Sequence, residues 1–251
     1  SEMCIRDRSV VMWSIGNEVP TQCSAEGYKV ASFLQDICHR EDPTRPVTCG
    51  MDQVSCVLEN GFAAMIDVPG LNYRAHRYVE SYNALPQNII LGSETASTVS
   101  SRGVYKFPVE KRAGATYADH QSSGYDVEYC SWSNVPDEDF ALADDYDWTI
   151  GQFVWTGFDY LGEPSPYDTD AWPSHSSVFG IIDLASLPKD RYYLYRSIWN
   201  KTAKQNVHGA KYYRGVRGGY YFEGLKPDTC ATAGKKMVGI INREPRTTNR
   251  I

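Results

Sequence analysis

The sequence predicts an α/β fold built on parallel strands, and three observations carry that expectation. Short apolar runs recur and end in small residues and a carboxylate, as in "VVMWSIGNE" (10–18) and "NIILGSE" (88–94). Helical or loop segments separate these runs, which is the alternation of parallel βα units. About five strands are readable, near 10–16, 47–51, 66–73, 89–94 and 151–159. Five do not close an eight-stranded barrel, so the pattern fits an open sheet or a barrel whose front is missing.

Each element has a local reason. Val10, Val11, Met12 and Trp13 read as a buried strand that runs out at Ser14–Asn17; Glu18 follows, and Pro20 cannot extend a strand or helix through its own nitrogen. Val30, Ala31, Phe33, Leu34, Ile37 and Cys38 recur at helical spacing and predict a helix buried along that face. Pro43 and Pro46 in "DPTRPVT" stop it, and Val47, Thr48 and Cys49 open a second strand. In "MIDVPGLNY" (65–73), Pro69 and Gly70 suggest a bend at a sheet end. After the strand of "NIILGSET" comes a long polar stretch rich in Ser, Tyr and Asp, read as a loop, and then the buried strand of "TIGQFVWTGFDY" (149–160). A last helix is predicted over 190–200, with Leu194, Tyr195, Ile198 and Trp199 on one side, and Tyr220, Tyr221 and Phe222 suit an edge strand.

Composition narrows the function. The first 200 residues hold 14 basic against 28 acidic side chains, whereas residues 201–251 hold 11 against 3. The abrupt change marks a boundary near Asn200, and the acidic body argues against nucleic acid as the main partner. No apolar run reaches the roughly 18 residues of a membrane helix, and the start of the chain has no signal-peptide pattern. The seven cysteines are odd in number and widely spaced, with no C-x-x-C pair; most read as small core hydrophobes, with no zinc site and no disulfide framework. The five histidines, His120 and His175 among them, show no H-x-x-x-H spacing, so no metal is expected. The 18 Tyr and 6 Trp suit flat ligands such as sugar rings, although ordinary packing also uses them.

Glu18 and Glu94, 76 positions apart, each stand where a buried strand ends. Converged on one cleft, they form the pair that glycoside hydrolysis requires: one carboxylic acid protonates the leaving oxygen while the other attacks or activates water. Tyr73, at another strand end, could donate a hydrogen bond to the ionised partner. The plainer reading of either glutamate is a solvated loop residue or a charge at a helix start. Ser93 and Ser97 flank Glu94, but "LGSET" is no G-x-S-x-G elbow. "GVRGG" (215–219) lacks the following helix of a phosphate loop.

"SVVMWSIGNE" resembles the acid/base motif of the family-2 glycoside hydrolases, and "ILGSETAST" resembles their nucleophile strand. "VPGLNY" is similar to the sixth barrel strand, "GQFVWTGFDYLGEPSPY" to the eighth, and "DPTRPVT" to the link into the fifth. The combination of "GSETAST", "SSRGVY", "DYLGEPSPY" and "PKDRYYLYRSIWN" is most similar to bacterial β-galactosidase-like members. The resemblance implies an α/β fold, a partial TIM (β/α)8 barrel covering roughly strands 4 to 8, over residues 9–200. It also implies Glu18 as acid/base and Glu94 as nucleophile, with Asn17 binding the sugar 2-hydroxyl, Tyr73 beside the nucleophile and Trp155 in the sugar-binding floor. Asp159, which could instead serve an internal salt bridge, and His175 are further candidate substrate contacts.

The implied function is hydrolysis of terminal β-glycosidic bonds, β-galactosides first, by a retaining double displacement without cofactor or metal. β-Glucuronides and β-mannosides are the alternative substrates, and a non-catalytic carbohydrate-binding or inactive remnant is the alternative function. The implied partner is an oligosaccharide or glycoside, with neither nucleic acid nor membrane, and the implied location is periplasmic or secreted. Residues 1–8 do not lead into the motif as the family does, and the basic tail 201–251 resembles no family continuation. Both ends therefore read as foreign to the pattern; a tail that binds nucleic acid is the other reading.

Overall fold

Along the chain the elements are β1 (Trp13–Asn17), α1 (Ala25–Glu41), β2 (Val47–Met51), α2 (Val54–Glu59), α3 (Phe62–Met65), β3 (Val68–Asn72), a 3-10 turn (Ala75–Arg77) and α4 (Tyr78–Ala84). They continue with β4 (Ile90–Ala96), β5 (Thr98–Val99), β6 (Arg112–Ala113), β7 (Glu128–Tyr129), α5 (Pro136–Asp145), β8 (Thr149–Trp155) and α6 (Asp190–Trp199), and end with β9 (Lys211–Arg214) and β10 (Tyr220–Glu223). This computed structural model describes residues 10–167, 172 and 174–199, together with the backbone of β9 and β10. The segment 1–8, the boundary at Asn200, the glycine cluster at 215–219 and most of the basic tail lie outside the described residues. The chain divides into two compact units, one of residues 1–95 and 146–153, the other of 96–145 and 154–251.

The first unit is organised by a five-stranded sheet in the order β1-β2-β3-β4-β8, with β1 through β4 paired in parallel. Every residue of β2 and β3 is buried, as befits central strands covered on both faces. The edge strand β1 is only partly buried. All five expected strands are present within a few residues. The bend expected at Pro69 and Gly70 is absent: β3 runs through both, pairing Pro69 with Cys49 and Gly70 with Gly50 on one side and Leu91 on the other. A Cβ on Gly70 would stand 2.7 Å from the Cys49 carbonyl oxygen and from Ser93 Oγ, so this glycine permits close strand approach rather than a turn.

α1 begins where the Ser24 hydroxyl accepts the Gly27 N–H at 3.1 Å, and it ends at Asp42, ahead of Pro43. Asp42 accepts from the Thr44 hydroxyl and N–H at 2.5 and 3.1 Å, from Arg45 at 2.8 Å and from the Trp13 indole at 3.0 Å, which ties the helix end to the start of β1. The Thr44 hydroxyl, then Arg45 and Trp13, hold this carboxyl well below the usual carboxylate range against the opposing effect of burial. The buried face of α1 differs from the expected one. Ala31 and Gln35 face inward, whereas Val30 and Phe33 are 52% and 63% exposed. The physical reason is polar. Gln35 Nε2 donates to the Met65 carbonyl at 2.7 Å and its Oε1 accepts the Asp67 N–H at 3.1 Å, satisfying the backbone of the α3–β3 connection.

The cysteine reading also needs correction. Cys23 and Cys56 form a disulfide with Cα atoms 5.3 Å apart, joining the turn before α1 to α2. Among the described residues, Cys49 and Cys130 are the buried thiols, while Cys38 is partly exposed. Burial pushes Cys49 up to about 11 and Cys130 to about 12, which keeps both protonated and unreactive.

In the second unit, the stretch expected to be a long polar loop contains α5 and a small sheet in the order β5-β7-β6. Two apolar clusters support it. One joins Phe140 and Ala141 of α5 to Leu194 and Tyr195 of α6; the other gathers Val99, Cys130 and Phe179. Between them lie buried cations. Arg191, 1% exposed, pairs with Asp126 at 3.1 Å and donates to the carbonyls of Thr98 and Phe179 and to the Ser100 hydroxyl. β9 and β10 form an antiparallel pair with Tyr221 opposite Tyr213, so the strand expected at 220–222 is present.

Two predictions follow from these contacts. The Cys23–Cys56 bridge spans 33 residues, a loop whose closure stabilises by about 3–4 kcal/mol in the chain-entropy description. Cys23→Ser, or reduction, is therefore expected to lower the melting temperature by roughly 10 °C, and identical melts of oxidised and reduced protein would contradict the bridge. The second concerns Asp139 of α5, whose carboxyl burial pushes up to about 7, opposed by the Asn134 side chain and reinforced by the Asp137 charge. A pKa raised by folding gives stability that is present below about pH 4 and lost as pH climbs through about 7, on the order of 1 kcal/mol per unit. Asp139→Asn is expected to melt higher than the unsubstituted chain at pH 8 and not at pH 4; a pH-independent difference would reject this.

Candidate functional site

Three strands of the first unit carry the polar groups of the site. β1 ends at Asn17, β3 at Asn72, and β4 presents Ser93 and Glu94. Immediately after β1 and β3, Glu18 and Tyr73 adopt left-handed backbone conformations, with φ of 44° and 54°. Such conformations cost non-glycine residues about 1–3 kcal/mol and persist where the surroundings enforce them. Here the enforcing contacts are backbone hydrogen bonds: the Glu18 N–H donates to the Gly50 carbonyl at 2.8 Å and the Tyr73 N–H to the Glu94 carbonyl at 2.9 Å. Both residues thereby stay in register with the neighbouring strand while their side chains are turned at its end.

Side chains complete the arrangement. The Tyr73 hydroxyl donates to Glu94 Oε2 at 2.7 Å. Asn72 is fully buried; its Nδ2 donates to Asn17 Oδ1 at 2.9 Å and to Glu18 Oε1 at 3.0 Å, and its Oδ1 accepts the Ser93 hydroxyl at 2.6 Å. β2 lies between β1 and β3, so these amides meet across two strand spacings, roughly 9–10 Å. They meet because β2 carries glycine there: a Cβ on Gly50 would stand 2.4 Å from Asn17 Oδ1 and 3.0 Å from Asn72 Oδ1. Asn72 stands opposite Glu94 in the β3–β4 ladder, where the register shifts after Leu71.

The structure thus places Asn17 and Glu18 in one hydrogen-bonded set with Asn72 and Ser93, and Tyr73 and Glu94 in a second, the two sets meeting along the chain at 72–73 and 93–94. Asn72, Ser93 and Gly50 also belong to the site and were not among the residues singled out from sequence. A signal for Asn72 existed: "GNE" and "LNY" each place an asparagine at a strand end, directly before the residue of interest. Trp155, Asp159 and His175 lie in the second unit. Trp155 Nε1 donates to the Tyr160 hydroxyl at 3.2 Å, and its ring packs against the Phe179 cluster. Asp159 accepts from the Gly180 N–H at 2.7 Å and forms an ion pair with the buried Lys189 at 2.8 Å, so its salt-bridge reading is realised. Burial raises the Asp159 carboxyl, with Lys189 opposing, and pushes Lys189 itself down to about 8. His175 is exposed and lines a cavity of about 330 Å³ with Arg102, His120, Asp159 and Asp183. Among the described residues, no group of three or more His, Cys, Asp or Glu is placed to hold a metal ion.

Chemically, the group in the first unit offers two carboxylates, Glu94 accepting from the Tyr73 hydroxyl and Glu18 from the Asn72 amide. Comparison with known proteins identifies the family. Residues 2–170 match the model of the glycosyl hydrolases family 2 TIM barrel domain. The β-galactosidase BoGH2A of Bacteroides ovatus is 35% identical over 254 residues, covering 83% of this chain and 29% of that protein, so the chain spans less than a third of this relative. The crystal structure of a family-2 member from Bacteroides cellulosilyticus superposes with a TM-score of 0.56 at 28% identity, covering 77% of this chain and 21% of that one. The β-glucuronidase of Bacteroides uniformis shares the fold with a TM-score of 0.58 at 17% identity, covering 77% of this chain and 24% of that one. The chain accordingly belongs to the family-2 glycoside hydrolases, and its five-stranded sheet is part of their (β/α)8 barrel.

Proposed function

We propose that this chain carries the catalytic carboxylates of a retaining β-glycosidase acting on terminal β-galactosides. One observation carries the reading: two glutamates of one parallel sheet, Glu18 after β1 and Glu94 on β4, are both gripped by fixed donors at the end of β3, Glu94 by the Tyr73 hydroxyl and Glu18 by the Asn72 amide. The galactoside preference is supported by the 35% identical β-galactosidase. The relation to a β-glucuronidase fold makes glucuronides the competing substrate.

A retaining enzyme places its carboxyls about 5–5.5 Å apart, close enough for direct attack on the sugar. Glu94 attacks the anomeric carbon through a carboxylate oxygen, forming a glycosyl ester as the bond to the leaving oxygen breaks. Glu18 gives its proton to that oxygen, and the aglycone departs as a neutral alcohol. Glu18, now ionised, takes a proton from a water that attacks the same carbon, and Glu94 is released as a carboxylate. Tyr73 favours the ionised form of Glu94 at the start and end of the cycle, since its hydroxyl is a donor to that oxygen. Every side chain in this cycle belongs to the first unit. The Cys23–Cys56 disulfide supports a periplasmic or secreted location, because such bonds persist in oxidising compartments.

A 2-deoxy-2-fluoro-β-galactoside with a good leaving group is expected to trap the first half of the reaction. Peptide mass spectrometry should then find the sugar on Glu94, and Glu94→Gln should abolish both labelling and turnover. Glu18→Ala should lower turnover of a phenyl galactoside by about 10²–10⁴-fold. A label on another residue, or sugar binding with no turnover by the full protein that carries this chain, would reject the assignment.

A further inference from the structure

Asn72 joins three members of the candidate site, yet it has no surface to offer a substrate: it is 0% exposed. Its amide is a junction. Nδ2 donates both hydrogens, at 2.9 Å to Asn17 Oδ1 and 3.0 Å to Glu18 Oε1, and Oδ1 receives the Ser93 hydroxyl at 2.6 Å. The amide lies against Gly50, whose missing Cβ leaves room for it within 3.0–3.3 Å.

The polarity of this junction follows from hydrogen-bond capacity. Glu18 Oε1 is an acceptor both in the ionised carboxylate and in the acid that carries its proton on Oε2, so the group facing it must be the Nδ2 of Asn72 and not its oxygen. The Asn72 oxygen is therefore turned to Ser93, whose hydroxyl must donate, and Asn17 must turn its own oxygen to Asn72. One carboxylate thus dictates the orientation of two amides and one hydroxyl, and in return those groups fix the carboxylate. Glu18 otherwise sits exposed at the end of an edge strand, a place where a glutamate samples several rotamers. With Oε1 occupied, its second oxygen is the one left to meet the leaving group and, later, the water.

We infer that Asn72 is the positioning residue of the acid/base step, holding Glu18 by Oε1 so that the other oxygen delivers and retrieves the proton. The inference rests on the role proposed above for Glu18 and deepens it. Asn72 is buried and touches no substrate; it acts through Glu18. Ser93, one residue before Glu94, locks Asn72 in turn, so the placement of the acid/base is referenced to the strand that carries the second carboxylate.

A role through Glu18 leaves a signature that a merely structural role does not. Phenolate leaves poorly without a proton, whereas 2,4-dinitrophenolate leaves unaided. On the full protein carrying this chain, Asn72→Ala is expected to lower kcat/KM for phenyl β-galactoside by about 100-fold and for 2,4-dinitrophenyl β-galactoside by no more than about threefold. Equal losses on both substrates, or no loss on either, would overturn the inference. Should Asn72→Ala fail to fold, Ser93→Ala decides in its place, with an expected loss of about three- to tenfold confined to the phenyl substrate; a loss shared by both substrates would overturn the inference. Glu18→Ala separates this inference from the reading beneath it. If Glu18→Ala shows the leaving-group split and neither variant does, the positioning role alone fails. If Glu18→Ala shows no split, the acid/base assignment fails and this inference with it.

Discussion

The candidate site depends on one contact: an amide on β3 reaching over a glycine on β2 to a carboxylate at the end of β1. Parallel strands hold their neighbours at fixed spacing, so side chains two strands apart do not ordinarily meet. Gly50 removes the obstacle, and Asn72 fills the gap with a group that has the right number of donors and acceptors for each of its three partners. A buried amide with unmet capacity would cost a few kcal/mol; fully met, it ties three strand ends together. The arrangement is thus demanding, because a change at Gly50, Asn72 or Ser93 reaches Glu18 without touching it.

Around that contact the fold carries two kinds of tension and restraint. Glu18 and Tyr73 occupy left-handed conformations that no glycine relieves, and the strand ladder holds them there. The restraint comes from further out: Asp42 joins α1 to β1, Gln35 satisfies the backbone before β3, and a disulfide fixes the approach to α1. These contacts are polar or covalent rather than purely hydrophobic. They matter most beside β1, an edge strand with exposed Val11 and, on the neighbouring helix, exposed Val30 and Phe33.

Much of this was legible in the sequence. Buried parallel strands announce themselves as short apolar runs, and the two glutamates stood out because each follows such a run. Asn72 did not, because an amide's importance lies in partners 54 and 21 residues away in the chain, and no local pattern encodes them. The face of α1 was misjudged because hydrophobic spacing ignores what a buried Gln35 can satisfy. The stretch after β4 reads as a loop in the sequence because contacts that order it, among them those of Arg191 and Lys189 with the Thr98 and Ser100 carbonyls, come from far along the chain. The Cys23–Cys56 pair was hidden by an odd count and wide spacing. The resemblance to family-2 glycosidases was visible because its motifs sit at the strand ends, where chemistry constrains residue choice most.

The junction at Asn72 has a further consequence for how hydrogen ions travel. A carboxamide can grip a carboxylate but cannot conduct, since it neither takes up nor surrenders hydrogen at ordinary acidity. The thread from Glu18 through Asn72 to Ser93 and the β4 strand is thus mechanically taut and electrically silent, an insulator between the two acids. In the reading proposed above, hydrogen that Glu18 gives up in one turn of a cycle returns through its exposed side and not through the amide.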